Sequence, residues 1–406
     1  MAALREAIHH GWRPEQEFDV VHLLTTQVVQ EFGPRFLGVV PTVTTMHHVH
    51  DEAEVPVDTS GDAIMTVCSS WEEEMIQRGI PREKMVRVAN GVDVERFHPP
   101  RAAQRRVARE KLGIQPHEVA VGFVGKKGSD NFGRKGFDLF CAGLKMLADQ
   151  GVPCVAVVLG SGWQEDMKKY LPSQLRRVHR PFAENPSEVY HAMDVYWVCS
   201  RIEGGPVPLL EAMACGIPCI ARPVGMVEDV VENGLSGYIA RSGQPEEFAE
   251  RTLALMRDPK KGEAVSRAAR ERIRSNFDWK LTVSSAPRLY RKAWENFTGP
   301  KRGPLKWERK SRPGAPSSLD SVKTMAKIPQ EIRRSCLFHE DLNMVHELFR
   351  VQNRTNGSFT ALGLMRKYPE KSPELLGLLF NAWFGGVRMT LGRWKSQILG
   401  RNKKSE

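Results

Sequence analysis

Apolar residues recur along this chain in two rhythms. Four short runs are rich in β-branched residues and predict strands: FDVVHLL from Phe18, PTVTTMH from Pro41, AIMTVCSS from Ala63 and MVRVAN from Met85. Between the last two, WEEEMIQRGI has helical spacing and stops at Gly79. A second series starts near Glu118. Its strand runs are VAVGFVG, PCVAVVLG, a short VHRPF, DVYWVCS, PCIARP and SGYIA, separated by helical stretches such as FDLFCAGLKMLADQ and PSEVYHAM. Many of these runs are apolar at consecutive positions rather than alternate ones. That pattern belongs to parallel strands covered on both faces, and strands alternating with helices make an α/β fold. Helical periodicity continues from about Pro245 to Phe297, and Ala2–His10 also reads as a short helix.

The pattern breaks at Thr298. TGPKRGPLKWERKSRPGAPSSLD is a Pro-, Gly- and Lys/Arg-rich linker, and Ser321–Leu399 beyond it reads as helical. There Leu376, Phe380, Trp383, Val387, Leu391, Trp394 and Ile398 share one helix face. Charge sharpens the boundary. Residues 301–406 hold 21 Lys and Arg against nine Asp and Glu, while the first 300 hold 38 against 39. A basic amphipathic tail fits an anionic membrane surface or nucleic acid, and equally a face packed on the folded domains. The longest apolar stretch, Leu375–Val387, is too short to span a bilayer, and MAALREAIHHGWRPEQ lacks the apolar core of a secretory leader. Seven scattered cysteines, mostly inside apolar runs and never spaced C-x-x-C, argue for buried thiols in a reducing compartment.

Chemistry concentrates in EGGPVPLLE, Glu203–Glu211. Pro208 suits the first position of a helix that LLEAMAC continues and Gly216 ends, so the segment predicts strand, loop and short helix. A helix start offers unpaired N–H groups and a positive dipole end, a seat for phosphate. The expected donors are Val207, Leu209 and Leu210, with Gly204 and Gly205 letting a ligand approach the backbone. Glu211, one turn in, reaches a ribose diol or merely complements the dipole. Glu203 stands at the loop mouth, beside a bound sugar or simply solvated. GSDNFGRKG superficially matches a P-loop, but Arg134 splits its Gly-Lys pair and Gly136 replaces the magnesium-binding hydroxyl, which excludes that NTPase class. No G-x-S-x-G supports a hydrolase. TMHHVHDE gathers His47, His48, His50 and Asp51, a conceivable metal set without a second cluster to complete it.

The Glu203–Glu211 spacing followed by AMACGIP resembles the signature of retaining glycosyltransferases of family four, which have the GT-B fold. VCSS at Val67–Ser70, NGVD at Asn90–Asp93 with Phe97, GFVGKKG with GRKGFD, VVLGSG at Val157–Gly162 and ENGLSGYIA agree in the same order, from about Phe18 to Phe297. The resemblance implies a second domain that binds a nucleotide-sugar and a first that presents the acceptor. Under it Glu203, His47 and Lys135 are catalytic. Lys126 and Arg134, the Gly125, Gly160 and Gly162 turns, Gly204, Gly205, Val207, Leu209 and Glu211 bind the donor, with no metal or other cofactor. Lys126 stands where the family usually has Arg, so Arg134 is the guanidinium that replaces it.

The expectation is therefore an α/β, GT-B-like chain of two Rossmann-like parallel-sheet domains, the first incomplete, plus a helical C-terminal extension. Its bounds are 1–97, a linker over 98–117, a nucleotide-sugar domain with closing helices over 118–297, a linker over 298–320 and a basic extension over 321–406. The expected partners are a nucleotide-sugar, a glycan or lipid-linked acceptor, an anionic membrane surface and a second subunit covering the raw sheet edge of the first domain. The expected setting is cytoplasmic, at the inner membrane surface. The alternatives are a noncatalytic nucleotide-sugar or glycan binder and a nucleic-acid glycosyltransferase.

Overall fold

A computed structural model describes residues 20–47, 59–127, 131–183 and 185–299. The expected helix at Ala2–His10, the His48, His50 and Asp51 ligands, Cys336 and the basic extension lie outside them.

The first lobe holds β1 (Val21–Leu23), α1 (Thr26–Phe36), β2 (Thr42–Met46), β3 (Ala63–Thr66), α2 (Ser69–Gln77) and β4 (Met85–Arg87). All four predicted strands are present, parallel and in the order β1-β2-β3-β4, with β2 buried along its whole length. Helix α1 lies between the first two predicted strands, where the sequence analysis predicts no helix. The helix runs through Pro34, its start capped by the Thr25 hydroxyl.

The second lobe holds α3 (Ala102–Lys111), β5 (Val119–Val124), α4 (Asn131–Arg134), α5 (Phe137–Asp149), β6 (Cys154–Leu159), α6 (Gln164–Tyr170), β7 (Arg176–Arg180), α7 (Pro186–His191), β8 (Val195–Val198), α8 (Val207–Ala214), β9 (Cys219–Ala221), α9 (Val227–Val230), β10 (Tyr238–Ile239), α10 (Pro245–Arg257) and α11 (Pro259–Asn276), and α12 (Trp279–Asn296) follows it. Its strands form one parallel sheet in the order β10-β9-β8-β5-β6-β7. Consecutive residues feed opposite faces. Val155, Val157, Tyr196 and Val198 join one buried core, while Ala156, Val158, Val195 and Trp197 join the other. That two-sided burial is what the unbroken apolar runs predicted. Six cysteines are buried free thiols: Cys68, Cys141, Cys154, Cys199, Cys215 and Cys219.

Two boundaries differ from expectation. The stretch at 98–117 is not a free linker, because α3 is pinned to the second lobe. Arg105 and Arg109 grip the Asp194 carboxylate at 2.5 and 2.8 Å, and that carboxylate also accepts the Ala120 N–H. The closing helices divide between the lobes. Leu289 and Ala293 of α12 complete the first-lobe core with Val43, Ala63, Val86 and Val88. The chain passes between the lobes twice at one crossing. There Val92 exchanges backbone hydrogen bonds with Phe277 and Trp279, and a Cβ on Gly91 would meet the Trp279 backbone at 2.5 Å. NGVD is thus an interlobe landmark for a packing reason.

Candidate functional site

After β5 the chain moves outward through β6 to β7, then returns to lay β8 on the other side of β5. The loops leaving β5 and β8 therefore part, opening a crevice at the carboxyl ends of the strands where ligands bind in such sheets. A cavity of about 230 Å³ lies there, lined by Phe123, Val124, Lys135, Tyr196–Ser200, Glu203 and Gly205–Pro208. A larger groove, about 520 Å³ between β4 and α12, contains none of the predicted site residues.

The two loops are tied together. The Lys135 ammonium donates to Glu203 Oε1 at 2.5 Å, and the Ser200 hydroxyl donates to the same oxygen at 2.8 Å. The Arg201 guanidinium forks onto Asp138 at 2.8 and 2.6 Å, and its backbone N–H donates to the Arg134 carbonyl at 2.7 Å. Gly136, at φ +67°, follows Lys135 for steric reasons, since a Cβ there would fall 2.0 Å from the Cys199 carbonyl oxygen. Arg134 closes the short α4 beside this junction, and Lys126 is exposed on the loop after β5.

The turns after β5 and β6 support each other. A Cβ on Gly160 would lie 2.1 Å from the Gly125 carbonyl oxygen, and one on Gly162 would lie 2.9 Å from the Lys127 side chain. Trp163 donates from Nε1 to the Gly125 carbonyl at 2.6 Å and stacks on Phe137 at 4.5 Å between ring centres. These glycines serve loop-on-loop packing at the sheet end.

Helix α8 begins at Val207, with Pro206 at the cap and Pro208 inside the first turn, one residue earlier than predicted. Proline is tolerated there because that N–H is also without a helical partner. Of the expected donors, Leu209 turns its N–H to the Pro206 carbonyl at 2.9 Å and is spent within the first turn. Val207 stays at the cavity wall. Glu211 is half-buried and accepts the Tyr190 hydroxyl on Oε2 at 2.6 Å. Burial raises its carboxyl above the usual range, and the tyrosine bond and the nearby Arg96 charge pull the other way.

Gly204 and Gly205 are crowded by protein on the side a Cβ would take, while Gly205 also lines the cavity. A Cβ on Gly204 would sit 1.6 Å from the His47 carbonyl oxygen, and one on Gly205 would sit 2.3 Å from the Asn90 amide nitrogen. Asn90 also donates to the Gly205 carbonyl at 3.1 Å. His47 is brought to the Glu203 loop by its main chain, and burial lowers its imidazole pKa. VCSS completes the clasp. Ser69 donates its N–H and hydroxyl to Asp229 at 2.8 and 2.5 Å, Ser70 reaches the Gly225 carbonyl, and Trp71 Nε1 donates to the Glu203 carbonyl at 3.1 Å. Sequence reasoning missed Ser200, Tyr190, Trp71 and Asp229. Ser200 left one trace, a small polar residue three before Glu203; the others look like ordinary helix residues.

Among the described residues no three His, Cys, Asp or Glu side chains gather as a metal-binding group, and no helix is long and apolar enough to cross a membrane.

Residues 104–272 match the family of glycosyl transferases group 1. Spore coat protein SA of Bacillus subtilis is 25% identical over 308 residues, 68% of this chain and 79% of its own. The D-inositol 3-phosphate glycosyltransferase of Geodermatophilus obscurus is 32% identical over 239 residues, 53% of this chain and 49% of its own. The chain spans about half the length of the curated D-inositol 3-phosphate glycosyltransferases it matches. Anabaena HepE, solved in complex with UDP-glucose, superposes with a TM-score of 0.60 at 18% identity, covering 71% of this chain and 81% of that one. The fold is GT-B.

Proposed function

We propose, from a second lobe whose residues 104–272 match the glycosyl transferases group 1 family, that the protein moves a sugar with retention from a nucleotide-sugar to a lipid-linked or polysaccharide acceptor. The observation that carries this is the ion pair of Lys135 and Glu203 at the mouth of the switch-point cavity, beside the start of α8. HepE, of the same fold, was solved with UDP-glucose, which supports a nucleoside diphosphate in that crevice.

Under this reading the diphosphate lies against the start of α8, Glu211 takes the ribose hydroxyls and Glu203 the hydroxyls of the donor sugar. The bond from the anomeric carbon to the phosphate oxygen breaks, and its electron pair leaves with the nucleoside diphosphate. The acceptor oxygen bonds that carbon on the same face, and its proton passes to the leaving phosphate. Lys135, with Lys126 and Arg134, meets the developing negative charge, which removes the need for a metal. His47, its imidazole pKa lowered by burial, is assigned to the acceptor side of the cleft. The proposed acceptor class and the basic sequence of the tail support work on the cytoplasmic side of a membrane.

The test is nucleotide release from UDP-, GDP- and ADP-sugars offered with glycan and lipid-linked acceptors. Lys135→Ala is expected to lower turnover about 10²–10³-fold, and Glu203→Ala to abolish it with the melting temperature kept. NMR of the product's anomeric proton decides retention. Nucleotide binding without release, across every donor and acceptor, makes the chain a noncatalytic binder on this fold.

A further inference from the structure

We propose that Tyr190 is a positioning residue for the donor nucleotide: its hydroxyl holds one carboxylate oxygen of Glu211 and presents the other to the vicinal hydroxyls of the ribose. This rests on Glu211 as the ribose ligand.

Tyr190 has no solvent exposure, and a buried phenol needs a hydrogen-bond partner. Its partner is Glu211 Oε2 at 2.6 Å. An ionised carboxylate only accepts, so the phenol is the donor. Burial and the Glu211 charge push the phenol well above its usual range, which keeps the proton on it. The ring cannot easily swing away. It lies in the last turn of α7 and packs edge-on against Phe97 at 5.9 Å and Tyr196 at 6.2 Å. The hydroxyl is therefore delivered to the second turn of α8 from a separate helix and does not depend on a flexible chain.

Two consequences follow for a group that burial already favours in its neutral form. The tyrosine bond stabilises the ionised state, the form that accepts two ribose hydroxyls. It also fixes the rotation of the carboxylate, so less motion is lost when a nucleotide binds. The other titratable or charged groups facing this pair are Arg96 before Phe97, Tyr196 on β8 and Cys215 at the end of α8. A hydroxyl that only satisfied a buried atom would matter to stability and not to the ligand.

The experiment is titration calorimetry of UDP and GDP on the full chain at pH 6, 7 and 8, for wild type, Tyr190→Phe, Glu211→Gln and the double variant. Tyr190→Phe keeps the ring, and thermal unfolding checks the fold. It is expected to weaken nucleotide binding about tenfold at pH 7, the equivalent of a hydrogen bond to a charged group. The sign with pH is fixed. Without the phenol, Glu211 protonates at higher pH, so the deficit is largest at pH 6 and smallest at pH 8. In the Glu211→Gln background the same change is expected to cost less than about twofold, because both variants break one interaction. Wild-type affinity in Tyr190→Phe, or a deficit equal at all three pH values and additive with Glu211→Gln, overturns the proposal and leaves the nucleotide site standing. If wild type binds neither nucleotide, the site itself fails and the proposal with it.

Discussion

The two lobes put the same parallel α/β layer to different uses at the cleft. In the second lobe, side chains from two loops converge on one cavity: Lys135 after β5, and Ser200 and Glu203 after β8, while Trp163 from the turn after β6 braces the first of these loops through the Gly125 carbonyl. The first lobe acts mostly on main chain. His47 presses its carbonyl on Gly204, Asn90 bonds the Gly205 carbonyl, and Trp71 bonds the Glu203 carbonyl. One lobe supplies the charges and the other fixes the shape of the loop that carries them. Residue type is therefore demanded most on one side, and close fit on the other.

That contrast can be broken by substitution. The largest effect is expected from Trp163→Ala, which removes the stack on Phe137, the edge contact with Phe123 and the bond to the Gly125 carbonyl. Loss of a fully buried tryptophan costs about 3–5 kcal/mol, read as a fall in the urea midpoint, with nucleotide affinity falling as the Gly125 turn loosens. An unchanged midpoint would show that the aromatic cluster does not hold the charged loops.

The first lobe is expected to be the acid-sensitive one. His22 bonds the Thr45 hydroxyl at 2.6 Å and lies beside Tyr290 of α12, and burial pushes its pKa down to about 4. The unfolded chain takes up this proton near pH 6.5 and the folded lobe only near 4. Its contribution is thus present above the unfolded value and lost as pH falls through that window, by about 3 kcal/mol at most. Urea unfolding at pH 7 and pH 4.5 measures the loss, and His22→Gln is expected to flatten it.

The smallest and sharpest comparison is between two glycines. A Cβ on Gly204 would meet the His47 carbonyl oxygen at 1.6 Å, while one on Gly133 would meet nothing within 4 Å. Gly204→Ala is expected to cost about 1–3 kcal/mol by overpacking and to reduce nucleotide release. Gly133→Ala is expected to stay within about 1 kcal/mol and keep activity. Equal effects in denaturation and release assays would mean that the lobes do not close on this loop.

The strands of both lobes were legible because parallel strands buried on two faces leave unbroken apolar runs, as β5, β6 and β8 do. Lys135 and Glu203 were legible as candidates but not as an ion pair. Their meeting depends on β8 returning beside β5 after two intervening strands, and no local pattern encodes that order. The glycines announced a close approach without saying what approaches, so ligand and His47 carbonyl read alike. Helix α3 was hidden because its anchor, Asp194, lies far downstream. Tyr190 looks like any core aromatic until the fold brings Glu211 to its hydroxyl.

The last helix sets an order of assembly. A nascent chain leaving the ribosome carries the four described strands of the first sheet long before Leu289 and Ala293 arrive to cover them, whereas the described strands of the second sheet and their covering helices precede α12. The amino-terminal half must therefore wait, apolar face open, while the half translated after it can already close, and maturation runs against the direction of synthesis.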